Sequence, residues 1–438
     1  MTIDAERATP VPGAAYFRKP QESILADNDA IEGTVKQILA DVRRDGDAAV
    51  RAYSAKFDNV ELDAIEVSQE QIRAALDNLD PAMREDTLFA IEQVRNFAEK
   101  QLATMLPLEV ETLPGLTLGH RVIPIERIGA YVPGGRYPLM SAPIMTIVPA
   151  KVAGCDEVIA CLPPSAHEAM IAGCHLSGAD RIFLIGGAQA IAAMAYGTES
   201  VPRVDKIVGP GNAYVNEAKR QVFGPVGIDQ LAGPSEVFVI ADDTAAADMV
   251  AIDLLAQAEH DVRARVGLIT TSPALAEAVE AEVARLLAEL ETSAVAAESW
   301  QRFGEIVLCD DVDAMIAYSD LVAPEHLEVI TADSDAVAAK LRNYGSLFIG
   351  ANASVVYSDK CCGTNHTLPT AGAGRYSGGL WVGAFVKVCT HQRLTTEAVA
   401  EVAPHAVRQS LYEGMEAHAR AADYRLVAAG LGSKITKN

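Results

Sequence analysis

Ile182-Phe-Leu-Ile-Gly-Gly-Ala-Gln-Ala190 is a short apolar run that passes through two glycines into a helical pattern. Lys206–Val208, followed by Gly209-Pro-Gly-Asn-Ala-Tyr214, repeats this arrangement. A strand that turns into a helix is the unit of parallel sheets, and such turns let a phosphate approach backbone N–H groups. Neither turn matches Gly-x-Gly-x-x-Gly; in the second, Tyr214 stands where the third glycine would be. Each alone is an ordinary strand-to-helix connection.

The same alternation extends outward over most of the chain. Helical patterns such as Thr244–His260 and Pro273–Leu290 separate most of the strand-like runs. These runs are Ile128–Val132, Val158–Cys161, Ile182–Ile185, Lys206–Val208, Val237–Ile240, Val266–Ile269, Ile306–Leu308, Leu327–Ile330 and Leu347–Ile349. The pattern predicts an α/β fold with two incomplete Rossmann-like domains, each a parallel sheet flanked by helices.

The flanking regions differ from this alternating part. Asp27–Leu102 and the chain after Leu394 read as helical, whereas prolines make the first residues extended. We expect an N-terminal arm at 1–20 and a first domain from 21–128 plus 237–380. A second domain at 129–236 and a C-terminal helical tail at 381–438 complete the expected division.

Composition restricts the possible functions. Half of the 438 residues are apolar and only 5% aromatic, which suits parallel strands covered by helices. The net charge of −23 argues against nucleic acid as a partner and requires local arginines for any anionic substrate. No apolar run is long enough for a membrane span, and no secretory signal precedes Lys19. Seven cysteines, an odd number, favour free thiols in the cytoplasm.

A polar stripe marks the predicted helix Thr244–His260, for which Thr244 is a suitable N-cap. Asp253, Gln257 and His260 fall at positions i, i+4 and i+7, on one face. Such a stripe often faces solvent. Alternatively, Gln257 and His260 offer an oxygen and a nitrogen ligand to one metal ion.

Glu325 and His326 lie in the segment Ala323-Pro-Glu-His-Leu327, at the entrance of a predicted strand. Histidine can accept a proton near neutral pH, and a carboxylate can activate water. Without further context, a Glu-His pair is more often a surface turn.

Two other groups of residues could contribute ligands. The loop-like segment Ser358–Pro369 contains Asp359 and His366, although it could be only a polar loop. Its Cys361 and Cys362 are adjacent, unlike a zinc knuckle, and are left out of the metal site. Glu413 and His418 lie on the predicted C-terminal helix, about 140° apart, and spacing alone makes both surface residues.

Seven motifs occur in a fixed order along the chain. They are Tyr-Val-Pro-Gly-Gly (131–135), Gly-Gly-Ala-Gln-Ala (186–190), Gly-Pro-Gly-Asn-Ala (209–213), Gly-Pro-Ser-Glu (233–236), Gln-Ala-Glu-His (257–260), Pro-Glu-His-Leu (324–327) and Gly-Thr-Asn-His-x-Leu-Pro-Thr (363–370). With them the chain resembles the histidinol dehydrogenase family over roughly residues 30–420. The resemblance implies a homodimer with exchanged arms and NAD-dependent, four-electron oxidation of a primary alcohol to a carboxylate through an aldehyde.

The resemblance also assigns roles to individual residues. It implies His326 as the base and Glu325 as the activator of water. The implied zinc (Zn²⁺) ligands are Gln257, His260, Asp359 and, from the partner subunit's tail, His418. The implied NAD contacts are Tyr131, Gln189 and Asn212, and the implied substrate contacts are Ser235, His326, Asp359, His366 and Glu413.

The substrate is predicted from departures within that resemblance. Arg136-Tyr-Pro138, Ala373–Gly383 and Tyr16–Pro20 look like the sulfopropanediol dehydrogenase branch, which oxidises 2,3-dihydroxypropane-1-sulfonate to 3-sulfolactate. Arg136 or Arg375 could bind the sulfonate, since arginine pairs well with such oxygens, or either could be a surface or phosphate contact. L-histidinol oxidation is the first alternative, a zinc hydrolase the second, and a non-catalytic metal-binding scaffold the least favoured.

Overall fold

The computed structural model describes residues 9–22, 29–134 and 138–435. The chain divides into two compact units. One comprises the chain up to Lys100 together with Ile125–Phe385, and the other comprises Gln101–Pro124 with Val386–Asn438.

The secondary structure alternates through most of the first unit. The strands are β1 (Ala14–Arg18), β2 (Leu108–Leu113), β3 (Leu116–Pro124), β4 (Arg127–Tyr131), β5 (Glu157–Leu162), β6 (Arg181–Leu184), β7 (Lys206–Val208), β8 (Gly227–Ile228), β9 (Glu236–Ala241), β10 (Arg265–Thr270), β11 (Glu305–Cys309), β12 (His326–Ile330), β13 (Ser346–Ile349) and β14 (Val386–Leu394). The helices are α1 (Asp29–Asp45), α2 (Asp47–Phe57), α3 (Gln69–Asn78), α4 (Pro81–Leu102), α5 (Ser141–Ala153), α6 (Glu168–Ser177), α7 (Gly187–Tyr196), α8 (Ala213–Val222), α9 (Ala247–Ala258), α10 (Pro273–Leu287), α11 (Ser293–Phe303), α12 (Val312–Val322), α13 (Ser334–Ala338), α14 (Val355–Lys360), α15 (Thr396–Tyr412) and α16 (Glu416–Ala428). Within the described part of the chain, short 3-10 helices lie at Ala373–Arg375 and Val382–Phe385.

The first unit contains a parallel sheet with the strand order β6-β5-β4-β7-β8. The chain adds strands on one side of β4 and then crosses back to add β7 and β8 on the other. The order therefore reverses between β4 and β7, and in open α/β sheets such a switch point opens a crevice at the carboxyl ends of the strands.

A second sheet in this unit has the order β1-β11-β10-β9-β12-β13. All its pairings are parallel except that of β1 with β11. Its order reverses between β9 and β12, as in the first sheet. The predicted extended arm at 1–20 thus includes an edge strand, and residues 1–8 of that arm lie outside the described part of the chain.

All nine predicted strands are present, and each begins and ends within one residue of the predicted bounds. The central strands are buried on both faces, as β9 illustrates with six buried residues in succession. The predicted α/β class with parallel sheets flanked by helices is therefore confirmed.

The N-terminal helices pack differently from the expected domain division, which joined 21–128 to 237–380. Val35 and Ile38 of α1 share one buried core with Phe183 of β6 and Ile191 of α7. This core belongs to the five-stranded sheet. The apolar spacing of α1 predicts a helix with one buried face, but it carries no information about which sheet that face covers.

The second unit combines an antiparallel sheet, β14-β3-β2, with the helical hairpin of α15 and α16. This sheet was not predicted, and the expected helical tail at 381–438 is wrong in its first part, because β14 precedes the helices, whereas the helical pattern after Leu394 is confirmed. Val386-Lys-Val-Cys-Thr390 shows the β-branched enrichment of a strand, a signal that was available. Among the described residues, no helix is long and apolar enough to cross a membrane.

Candidate active site

Glu325 and His326 lie where the chain enters β12. Helix α12 ends at Ala323, which adopts the left-handed conformation with φ 52°, and Pro324 then directs the chain toward the sheet. The N–H of Ser346, at the start of β13, donates to the carbonyl of Glu325 at 2.9 Å. Only 5% of Glu325 and 3% of His326 are exposed, so the surface-turn interpretation of this pair is wrong.

The backbone of Glu236, the first residue of β9, fixes both members of the pair. Its N–H donates to Oε2 of Glu325 at 2.8 Å, and its carbonyl lies 2.9 Å from Nδ1 of His326. Because a carbonyl oxygen can only accept, Nδ1 carries a hydrogen, and in the neutral ring Nε2 holds the free lone pair. Nε2 is buried without a hydrogen-bond partner among the described residues. The imidazole is therefore arranged to accept a proton at Nε2.

Two opposing effects set the pKa of His326. Burial lowers the pKa, but the Glu325 carboxylate, 3.4 Å from Nδ1, raises it, as does Asp359, whose Oδ1 lies 3.9 Å from Nε2. The net effect raises the pKa from 6.5 to about 9. The site thus makes His326 a stronger base than free histidine.

Three of the implied zinc ligands are supplied by two helix ends. Gln257 is buried in the last turn of α9, and His260 follows in the next turn of the chain. Asp359 lies in the last turn of α14, with its Oδ2 3.7 Å from Nε2 of His260. Two ligands of a tetrahedral zinc ion are about 3.4 Å apart, so this His-Asp distance and the N/O donor set fit the metal.

Histidine, cysteine, aspartate and glutamate alone do not complete this site. Within the described residues, no three of them group in a way that could hold a metal ion. A zinc ion at His260 and Asp359 would therefore need the amide oxygen of Gln257 and one further ligand to complete four-coordination.

The helix carrying Gln257 is shorter than predicted. It begins at Ala247, so Thr244 is not its N-cap; Thr244 instead donates to Oδ1 of Asp242. His260 lies beyond the end of the helix. The solvent-facing interpretation of the polar stripe holds for His260, which is exposed, but is wrong for Gln257, which is buried; Asp253 is half-buried and accepts a hydrogen bond from Ser354 at 2.9 Å.

Two hydrogen bonds join the segment after Asp359 to the start of β9. Thr370 Oγ1 accepts from the N–H of Gly233, and the N–H of Ala371 donates to Oε1 of Glu236 at 3.2 Å. Nε2 of His366 is buried without a hydrogen-bond partner among the described residues, and burial lowers the pKa of this ring. Ser235, directly before β9, lies in the stretch that these bonds tie to the segment.

The implied NAD residues surround the switch point of the five-stranded sheet. Tyr131 ends β4, and its hydroxyl accepts from the N–H of Gly187 at 3.2 Å. Gln189 is buried in the first turn of α7. Asn212 caps α8, its Oδ1 accepting from two backbone N–H groups at 3.0 and 3.1 Å. Only the amide N–H₂ of Asn212 remains for a ligand.

Comparison with known proteins identifies the family. The family model described as histidinol dehydrogenase matches residues 22–426. The chain belongs to the histidinol dehydrogenase family.

Several relatives in the family match nearly the whole chain. "Histidinol dehydrogenase homolog 1" of Mesorhizobium japonicum is 50% identical over 91% of this chain and 81% of its own length. The sulfopropanediol 3-dehydrogenase of Ruegeria pomeroyi is 44% identical, over 94% and 96%. The histidinol dehydrogenase of Methanosarcina barkeri is 43% identical, over 89% and 90%. The crystal structure of the Elizabethkingia anophelis histidinol dehydrogenase superposes with a TM-score of 0.89 at 34% identity, covering 94% of this chain and 95% of that one.

Of the two arginines considered as sulfonate ligands, one lies outside the described residues and the other bonds to the backbone. Arg136 lies outside the described residues. Arg375 donates to the carbonyl of Gly372 at 3.0 Å and to that of Leu321, near the end of α12. Its guanidinium therefore holds the loop after Ala371 against a helix C-terminus.

Glu413 and His418 do not share a helix, contrary to the sequence-based expectation. Glu413 caps the end of α15, Gly414 turns the chain with φ 75°, and His418 lies in α16. Both side chains are exposed in the second unit. The 140° separation calculated for one continuous helix therefore does not apply.

Sequence reasoning missed Glu236 as a site residue. Burial raises its pKa to about 7, against the lowering effect of Arg265, its neighbour across the sheet. Several parallel strands of this sheet begin with a charged or titratable residue: Glu236, Arg265, Glu305 and His326. Since parallel strands that begin together bring their first residues together, this repetition was a usable signal.

Proposed function

We propose that this chain catalyses the NAD-dependent, two-step oxidation of a primary alcohol to a carboxylate, with 2,3-dihydroxypropane-1-sulfonate as substrate and 3-sulfolactate as product. The observation that carries the reaction is the buried Glu325-His326 pair, in which Nδ1 of His326 is held by a backbone carbonyl and Nε2 has no hydrogen-bond partner among the described residues, so that in the neutral ring Nε2 is the proton acceptor. A base of this kind is what removal of a hydroxyl proton requires.

In the first step, Nε2 of His326 accepts the hydroxyl proton while the carbon-bound hydrogen leaves as hydride to NAD⁺, giving the aldehyde and NADH. In the second, Glu325 takes a proton from water as the water oxygen bonds to the aldehyde carbon. The resulting hydrate loses a hydroxyl proton to His326 and a hydride to a second NAD⁺. One alcohol, one water and two NAD⁺ give one carboxylate, two NADH and three protons.

Gln257, His260 and Asp359 would hold a zinc ion, with His418 of a partner subunit as the fourth ligand in a homodimer. When bound, zinc would polarise and position the substrate oxygen. The protein's own part is to keep Asp359 between His260 and His326, so that the substrate oxygen is held beside the base.

Tyr131, Gln189 and Asn212 would contact NAD at the switch point between β4 and β7. Ser235, His366 and Glu413 would contact the substrate. Segment 363–371 supports this arrangement because it is hydrogen-bonded to the start of β9 beside the catalytic pair.

The substrate proposal is supported by the Ruegeria pomeroyi relative and by the local sequence around Arg136 and Arg375. A sulfonate stays anionic at every relevant pH and binds arginine well. The second candidate substrate is L-histidinol, since the histidinol dehydrogenase of Methanosarcina barkeri is 43% identical to this chain, close to the 44% of the Ruegeria pomeroyi relative. Glu413 is a suitable partner for the imidazole of that substrate.

The deciding experiment assays a panel of alcohols, including the sulfonate diol and L-histidinol, with NAD and with or without a chelator. We expect two NADH per molecule of sulfonate diol, no NADH from histidinol, and loss of activity with the chelator. If NADH forms with histidinol and not with the sulfonate diol, histidinol is the substrate and the proposed one is wrong. No NAD binding, with neither alcohol oxidised, would favour a zinc hydrolase.

A further inference from the structure

The side-chain amide of Asn216, in the first turn of α8, is bonded to two separate segments. Its Nδ2 donates to the carbonyl of Gly211 at 3.2 Å and also to the carbonyl of Ala232. Its Oδ1 accepts from the N–H of Ala232 at 3.4 Å. The amide thus pairs with both backbone groups of Ala232 while also holding Gly211.

The Gly211 side of this link belongs to a rigid turn. Lys219 and Asp229 form an ion pair with side chains 0% and 2% exposed. Lys219 Nζ donates to the carbonyl of Gly209 at 3.0 Å, and Oδ2 of Asp229 accepts from the N–H of Gly209 at 2.7 Å. Since a buried ion pair needs its remaining hydrogen bonds satisfied, this arrangement favours one conformation of the turn that ends at Asn212.

The Ala232 side of the link leads to the catalytic pair. The next residue, Gly233, donates to Thr370, and Ser235 and Glu236 follow at the entrance of β9. Because Glu236 holds both Glu325 and His326 through its backbone, a shift of Ala232 is transmitted toward the reacting groups.

We propose that Asn216 is a positioning residue that sets the spacing between the NAD-binding turn and the substrate-binding entrance of β9, so that the two ligands bind with thermodynamic coupling. The proposal rests on the function proposed above. Hydride transfer needs donor and acceptor carbons at close contact, and an error of about 1 Å costs on the order of 10²-fold in rate. One rigid amide that joins both segments provides that spacing.

The test uses the zinc-loaded, full-length enzyme and the isosteric variant Asn216→Asp, which replaces both donated hydrogen bonds with repulsion between oxygens. Asn216→Ala removes the amide without adding charge and carries the test if the aspartate variant does not fold. The control is Gln221→Ala, on the same helix, because Gln221 bonds instead to Glu32 and Glu217. The Kd of NADH is measured by fluorescence with and without a saturating concentration of the carboxylate product.

In the wild type and the control, we expect the product to change the Kd of NADH by at least about fivefold. In the Asn216 variants we expect this factor to fall to within about twofold of one and kcat to fall roughly 10- to 100-fold, while the Kd of NADH alone changes less than about threefold. Unchanged coupling in both Asn216 variants, or no coupling in a wild type that a separate titration shows to bind the product, would overturn the proposal, whereas a wild type that binds no product would refute the proposed substrate. A wild type that binds no NADH at all would instead refute the proposed function.

Discussion

Glu325→Gln separates the two roles of the catalytic pair. The glutamine is isosteric and its amide oxygen can still accept from the N–H of Glu236, so the variant removes charge and leaves the shape. Without that charge, the main cause that raises the pKa of His326 is lost, and burial lowers the pKa. We therefore expect the pKa to fall from about 9 toward the ordinary 6.5, a difference of up to about 3.4 kcal/mol at 1.36 kcal/mol per unit.

This change has opposite consequences for the two steps at pH 7. The neutral fraction of His326 is about 1% for a pKa near 9 and rises toward roughly 75% as the pKa approaches 6.5, so the first oxidation keeps its base. The second oxidation loses the group that activates water, at a cost of roughly 10²-fold or more. Zinc bound at Asp359 would lower the pKa of His326 in both proteins, because it offsets that carboxylate, and the direction of the difference would remain.

The assay is rapid mixing of alcohol with enzyme and excess NAD, followed by NADH absorbance and trapping of free aldehyde. The wild type should release two NADH per alcohol without detectable aldehyde, and the variant one NADH rapidly and the second slowly. In the pH profile of kcat/KM for the alcohol, the rise that reports deprotonation of His326 should occur at lower pH in the variant. Glu289→Gln, a change at an exposed carboxylate paired with Arg285, is the matched control. Equal slowing of both steps, or a rise at the same pH in both proteins, would refute this division of roles.

Further measurements test the remaining assignments. His326→Gln should impair both oxidation steps by about 10²-fold or more, and loss of only the second step would contradict its role as base. Asp359→Asn should weaken zinc binding in a competition with a fluorescent chelator, whereas wild-type affinity would exclude it as a ligand. Because the folded-state pKa of His326 is raised, protonated His326 should stabilise the metal-free protein below pH 6.5, and this stabilisation should be lost as the pH rises through about 9. Urea unfolding of wild type and His326→Gln measures this contribution. A difference in the free energy of unfolding that stays constant from pH 6 to pH 10 would contradict the raised pKa. Arg375→Ala should lower Tm and leave KM for the sulfonate diol nearly unchanged, and a large rise in KM would restore it as a substrate contact.

The strands could be predicted because their signals are local. Short apolar runs bounded by glycine turns, such as Ile182–Ile185, identify buried parallel strands without reference to the rest of the chain. The packing partner of α1 is not local information, since its apolar face would fit any covering position. The antiparallel sheet was not predicted for another reason. All six residues of β2 are exposed, so this strand lacks the apolar run that identified the buried strands.

In the candidate site, too, local sequence predicts some features, and others depend on tertiary contacts. Residue types and motif order were enough to name Glu325, His326, Gln257, His260 and Asp359, because the resemblance covers these motifs. The tautomer of His326 and its raised pKa could not be predicted, since both depend on Glu236 and Glu325 meeting it across β9 and β12. The break between Glu413 and His418 was predictable in part, because a glycine at position 414 is the residue type that ends helices.

The proposed cofactor and substrate sites lie at opposite ends of the two sheets, and this determines where the proposed coupling would occur. The proposed NAD turns lie at the carboxyl ends of β4, β6 and β7, whereas the catalytic pair lies at the amino ends of β9 and β12. The connection between the sheets, residues 229–235, runs from β8 directly into β9. It begins with Asp229, which holds the cofactor turn, passes Ala232, which pairs with Asn216, and ends at Ser235 beside the catalytic pair. Since this one segment contacts both proposed regions, a change in its position would alter cofactor and substrate geometry together, and substitutions within it should affect kcat more than either Kd alone.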